Sequence, residues 1–298
     1  MVWCSGHRLA SSVSNSGGLG LIGAGSMKPE LLIEHIRECR RETDRPFGVN
    51  IPLIRGDVER LIEAALAEDV RIIFTSAGNP GLHVDRIKGA GAIMVHVIAS
   101  VKHALKAQSV GVDAVVAEGF EAGGHNGIDE ITTLCLVPQV VDAVNVPVIA
   151  AGGIADGRGM AAAMALGAAG VQIGTRFAAT TESSAHEAYK QAVVEAGDTG
   201  TVLTLKSLTP VRLIKNRFAL EAFQAERSCA TPEQLRELLG VKRERRGIFE
   251  GDINEGELEA GQSSGLVHEI LPAAEVMRRL VEEFQACTAR LARLTIAD

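Results

Sequence analysis

Seven short apolar runs recur along the first two-thirds of the chain, at 18–22, 47–51, 72–76, 93–98, 113–117, 146–150 and 170–173. They lie roughly 20 to 33 residues apart, the length of one strand followed by one helix. The intervening segments 29–41, 58–68, 84–90, 101–110, 132–144, 158–166 and 185–196 have helical patterning, with Pro29 and Asp57 at helix starts and Gly91, Gly111 and Gly167 where helices stop. Strands that are apolar almost throughout, each followed by a helix, imply a parallel sheet covered on both faces.

An open doubly wound sheet and a closed (β/α)8 barrel both meet that description. The barrel is preferred because glycine-rich turns recur at the C-terminal ends of the strands, the rim where a barrel carries its chemistry. A barrel needs eight strands, and the sequence opens on Met1-Val2-Trp3-Cys4-Ser5-Gly6, already leading into a helical stretch at 7–15. The expected fold is a TIM (β/α)8 barrel over residues 1–197 whose first strand is truncated to a stub, a misassigned gene start being the expected reason. Residues 198–298 lose the strand–helix alternation, gain charge and show helices at 233–239 and 273–291. They are expected to form a helical extension, packed on the barrel as a lid or an oligomer-forming tail.

Composition narrows the function. The 298 residues are 46% hydrophobic with a net charge of −7, enough apolar content for a large core and the wrong sign for nucleic acid or an anionic membrane. The basic run Lys242-Arg243-Glu244-Arg245-Arg246 is interrupted by glutamate, and aromatics make up only 3% of the chain, so base stacking has little to work with. Five scattered cysteines, with no Cys/His pair at ligand spacing, argue against disulfides and against a metal site. No apolar run approaches the roughly 20 residues of a membrane helix, and no signal-peptide core opens the chain. A cytoplasmic enzyme acting on a small molecule is the expectation.

The chemistry is placed on Gly119-Phe120-Glu121-Ala122-Gly123-Gly124-His125-Asn126-Gly127, directly after the apolar run ending at Glu118. Its glycines admit close backbone approach to a ligand, and His125 titrates near neutral pH. A solvated histidine on a tight turn is the alternative. Counting the stub as strand one, Gly152-Gly153 ends strand seven and Gly174-Thr175 ends strand eight, the two places where a barrel binds phosphate through backbone N–H groups. Asp156 is placed to cap the helix that follows. Asn50 and the stretch Ala77-Gly78-Asn79 end the third and fourth strands on the same rim. His96 interrupts an apolar strand and could reach the mouth or sit in the core; His83, His103 and His186 lie near helix starts. Two motif matches fail on context. Gly18-Leu19-Gly20-Leu21-Ile22-Gly23 is itself the strand rather than a strand-to-helix turn, and Gly261-Gln262-Ser263-Ser264-Gly265 follows a charged stretch and reads as a flexible polar loop.

With these loops in view, the chain resembles the FMN-dependent nitronate monooxygenase family, which shares its fold with the type II flavoprotein enoyl-acyl-carrier-protein reductases. The resemblance is carried by Ser16-Gly17-Gly18-Leu19-Gly20, Pro46-Phe47-Gly48-Val49-Asn50, Thr75-Ser76-Ala77-Gly78-Asn79, residues 118–127, 150–157 and 172–177, and Ala260-Gly261-Gln262. It implies that Asn50, Glu118, Gly123, Gly153, Gln172, Ile173, Gly174 and Thr175 contact FMN and that His125 is the active-site histidine. It also implies oxidation of a nitronate with dioxygen to a carbonyl compound and nitrite, and a homodimer. The alternative within the family is an NAD(P)H-fed reduction of an enoyl thioester. An inosine-monophosphate-dehydrogenase-like barrel would need a thiol on the 174–176 loop, where there is none. A truncated, non-catalytic flavin-binding protein is the non-enzymatic alternative.

Overall fold

The computed structural model describes residues 1–294. In chain order the strands are β1 (Gly20–Gly23), β2 (Phe47–Pro52), β3 (Ile72–Ser76), β4 (Ile93–Ile98), β5 (Ala114–Glu118), β6 (Gly124–His125), β7 (Val148–Ala151), β8 (Gly170–Gln172), β9 (Thr201–Thr204) and β10 (Val211–Ile214). The helices are α1 (His7–Asn15), α2 (Pro29–Glu42), α3 (Val58–Ala67), α4 (Val84–Gly89), α5 (Val101–Ser109), α6 (Thr133–Ala143), α7 (Gly157–Ala165), α8 (Thr175–Ala178), α9 (Glu187–Glu195), α10 (Arg217–Arg227), α11 (Pro232–Leu239) and α12 (Ala273–Leu291).

Seven strands form one curled parallel sheet in the order β1-β2-β3-β4-β5-β7-β8. Alternation along each strand builds two apolar layers. Leu21, Phe74, Val95, Val116, Ile149 and Ala151 fill the inside of the curl. Ile22, Val49, Ile73, Met94, Val115 and Ala150 join the layer beneath the helices. The fold is the TIM-barrel type with seven strands in its sheet: β1 and β8 are the free edges, and residues 1–6 run as turns in the seam between them, where the expected first-strand stub lies. The stub is pinned there by the Gly23 amide donating to Ser5 O at 2.9 Å and the Trp3 amide donating to Ser26 Oγ at 3.2 Å.

From outside, the seam is covered by α12, which lies against both α1 and α7. Leu9, Phe177, Ala273, Val276 and Leu280 are buried together at this crossing, and Glu283 accepts the Gly157 amide at the start of α7 at 2.9 Å. Asp156 caps the same helix as expected, accepting the amides of Arg158 at 2.9 Å and Gly159 at 3.0 Å. Replacing Asp156 by alanine is expected to remove about 1 kcal/mol and lower Tm by about 2 to 4 °C in a thermal melt.

The region after residue 197 differs from the all-helical expectation. It contributes β9 and β10, which pair antiparallel with each other and with β6 in a second, three-stranded sheet. Helices α10 and α11 back this sheet, burying Leu205, Val211, Leu213, Phe218, Ala222 and Leu235 together. The four-residue strands are too short and too flanked by charge to register as a period in the sequence. No helix among the described residues is long and apolar enough to cross a membrane.

Candidate active site

The inward-facing positions at the C-terminal ends of the barrel strands are polar. Val49 and Ile51 face the helix layer, so Asn50 between them faces inward, where the Ser76 hydroxyl donates to its Oδ1 at 3.4 Å. By the same alternation Glu118 follows the helix-facing Ala117, and Gln172 lies between Val171 and Ile173, both packed on the helix-layer core. Glu118, Ala151 and Gln172 are register partners across β5, β7 and β8, which sets the carboxyl and the amide at one level of the rim. Ile173 turns its side chain to the core, leaving only its backbone for a ligand.

Two features of this row carry chemical weight. Burial pushes the Glu118 carboxyl up to about 7. The Gln172 Oε1 is buried with no partner, an acceptor that a bound donor would satisfy. A raised carboxyl stabilises the fold while protonated, fully so below about 4.5, and that contribution is lost as pH rises through about 7. In flavin-free protein, Glu118→Gln is therefore expected to raise Tm at pH 8 and to match the parent near pH 4.5. Thermal melts across that range check it.

The loops beyond the row touch one another. After β7 the chain turns through Gly152 and Gly153, both at positive φ (96° and 71°). A side chain at Gly153 would find its nearest neighbour in Glu121 at 3.5 Å, an ordinary van der Waals contact rather than a clash. Glu121 itself takes the Thr133 amide at 2.9 and 3.0 Å at the head of α6. At Gly123 the opposite holds: a methyl there would lie 2.5 Å from the backbone of Ala260 and Gly261. That segment crosses the rim. The Gly261 amide donates to Thr175 Oγ1 at 2.9 Å, and the Gln262 amide donates to Glu121 O at 2.9 Å. The stretch Gly261–Gly265, expected to be a flexible polar loop, is thus an ordered tie between the loops after β5 and β8, with Ser263 and Ser264 buried.

His125 lies in β6, paired with Val211 of β10, rather than on a free loop. Its side chain is 61% exposed, with Nδ1 3.5 Å from Glu259 Oε1. Contact with the Glu259 carboxylate holds the imidazole above its ordinary range, outweighing the opposing effect of burial. Beside it opens a cleft of about 300 Å³, walled by Leu205, Leu208, Val211 and Leu239 and edged by Arg243 and Glu257. Burial, reinforced by Glu259, pushes the Glu257 carboxyl up to about 8. His96 does not reach this site. It faces the helix layer, buried, with Nδ1 2.8 Å from Thr75 Oγ1, and burial pushes it down to about 4. Sequence reasoning missed Glu257 and Glu259, which look like any solvated acidic run until β10 places them against His125.

Gly153, Gly174 and His125 therefore share one rim, with Asn50, Glu118 and Gln172 turned inward below. The nitronate monooxygenase family model matches residues 1–65 and 54–283 of the chain. Fold and family model agree on the class over nearly the whole chain. The structure of FabK from Thermotoga maritima superimposes with a TM-score of 0.93 at 44% identity, covering 98% of this chain and 93% of that one. A probable nitronate monooxygenase of Staphylococcus aureus is 35% identical over 264 residues, 74% of each chain. A 5-hydroxy-7a-methyl-1-oxo-octahydro-1H-indene-4-carboxyl-CoA dehydrogenase of Mycobacterium tuberculosis is 41% identical over 209 residues, 69% of this chain, and the match spans 58% of that relative's length. The chain belongs to the nitronate monooxygenase family.

Proposed function

We propose that the protein is an FMN-dependent nitronate monooxygenase that converts an alkyl nitronate and dioxygen to a carbonyl compound and nitrite. Residues 1–197 form the flavin-binding barrel, and 198–298 the extension that completes the histidine side of the site. The observation that carries this reading is an exposed imidazole, held toward its cationic form by a carboxylate, on the rim above a row of polar inward side chains. An imidazolium there meets an anionic substrate and can hold or return a proton at its free nitrogen.

The residues present fit a flavin. The Gly153 and Gly174–Thr175 turns offer backbone N–H groups to a phosphate, the unpartnered Gln172 oxygen offers an acceptor to a ring N–H, and Asn50 and Glu118 flank the same space. The family likeness favours FMN, and a homodimer with it. When bound, the flavin supplies the electron transfer between nitronate and dioxygen. The protein's part is to orient the substrate, hold the proton and exclude water.

A second reading has its own support. The Mycobacterium tuberculosis relative acts on a carboxyl-CoA compound, and the cleft beside His125 has apolar walls with Lys242 and Arg243 at its edge. An acyl thioester fits such a cleft, with NAD(P)H as the electron source and His125 or Glu118 as the proton donor. The test is direct. Nitronate-driven oxygen uptake without NADH supports the monooxygenase; anaerobic NADH oxidation that requires crotonyl thioester supports the reductase and sinks the first reading.

A further inference from the structure

The segment 257–262 is held unusually firmly for a connection between a short helical turn and α12. Its backbone is tied on four sides. The Ile214 amide of β10 donates to Leu258 O at 2.9 Å, the Tyr189 hydroxyl of α9 donates to Glu259 O at 2.6 Å, and Gly261 and Gln262 bond to Thr175 and Glu121. Leu258 and Ala260 are buried on one side, which turns Glu257 and Glu259 to the other, toward β6. There Gly124 packs directly on the Glu259 carboxylate: a methyl on Gly124 would lie 3.0 Å from Glu259 Oε2. The same carboxylate stands 3.5 Å from His125 Nδ1 with its side chain only 14% exposed. A rigid, largely desolvated carboxylate against the Nδ1 edge of an imidazole favours its protonated form and orients the ring.

We propose that Glu259, delivered by the C-terminal extension, is the positioning residue for His125: its carboxylate anchors Nδ1 and leaves Nε2 to meet the substrate. The inference rests on the reading of His125 as the active-site histidine, but its test does not depend on turnover. The other charged groups facing the ring do not offer the same contact. Glu257 and Glu244 act on it at longer range, Arg243 and Lys242 edge the cleft with opposite sign, and Glu118 approaches from β5.

The experiment is a histidine titration by NMR on nitrogen-labelled, full-length protein, with the His125 signal assigned from His125→Gln. Glu259→Gln is expected to lower the His125 midpoint by about one unit or more, the shift of an imidazole losing a carboxylate at this range. Glu259→Asp should recover part of it. Glu257→Gln should move the midpoint far less, since Glu257 acts on the ring only at longer range, without the contact that Glu259 makes. An unmoved midpoint in Glu259→Gln, or an equal drop in both variants, overturns the proposal. In the enzyme assay, the alkaline-side fall of kcat/KM, where the imidazolium loses its proton, should move to lower pH with the same midpoint in Glu259→Gln while flavin absorbance per protein stays constant. A shifted midpoint without nitronate turnover would leave Glu259 in its role and remove only the substrate assignment.

Discussion

Replacing His125 by alanine is expected to give a protein that still purifies yellow and turns nitronate over about a hundredfold to ten-thousandfold more slowly, the usual range for losing one positioned acid–base group. The separation of the two effects follows from the architecture. His125 belongs to β6 and the second sheet, whereas the polar row of Asn50, Glu118 and Gln172 belongs to the barrel. Truncating the imidazole removes nothing from that row. It does leave Glu259 largely buried without its counter-ion, so a lower Tm is expected alongside. Single-turnover stopped-flow, with flavin content measured on the same sample, decides the matter. Turnover equal to the parent would remove His125 from the chemistry.

The second large effect is expected at Gly153. Gly153→Asp should purify nearly colourless, with flavin affinity lower by about a hundredfold to a thousandfold, as a carboxylate set against a phosphate costs a few kcal/mol in a partly screened site. Aspartate is the informative choice because it tolerates positive φ better than most residues, and the space above Gly153 meets only Glu121 at 3.5 Å. Gly153→Asn, equal in shape and neutral, should retain most of the flavin. Far-ultraviolet circular dichroism matching the parent in both variants assigns the loss to charge. If the asparagine variant were as colourless as the aspartate one, backbone strain rather than phosphate binding would explain Gly153.

The barrel was legible in the sequence because its signal is periodic and local. Each buried strand is a short apolar run, and β2, β3 and β4 begin where those runs begin. The glycine turns after β5, β7 and β8 were legible for a related reason: such turns at strand ends mark a rim. What could not be read was everything that depends on distant pairing. β6 is two residues long and exists only because Val211 and Arg212 pair with His125 and Gly124. Gly123 reads as loop flexibility, yet the backbone of Ala260 and Gly261 forbids it a side chain. Glu259 reads as surface charge until Tyr189 and β10 fix its backbone beside the imidazole. The histidine was visible; its partner was not.

The crossing of α12 over α1 and α7 has a consequence for biosynthesis. On a ribosome, α1 emerges long before α12, and the surface that covers Leu9 is not made until residues 273–280 leave the tunnel. Until then the growing curl carries an uncovered slot flanked by two strand edges, the kind of surface that recruits chaperones or neighbouring chains. Covering of the seam is therefore a late, long-range event, and a nascent chain released before α12 is translated should be captured by holdases rather than mature slowly on its own.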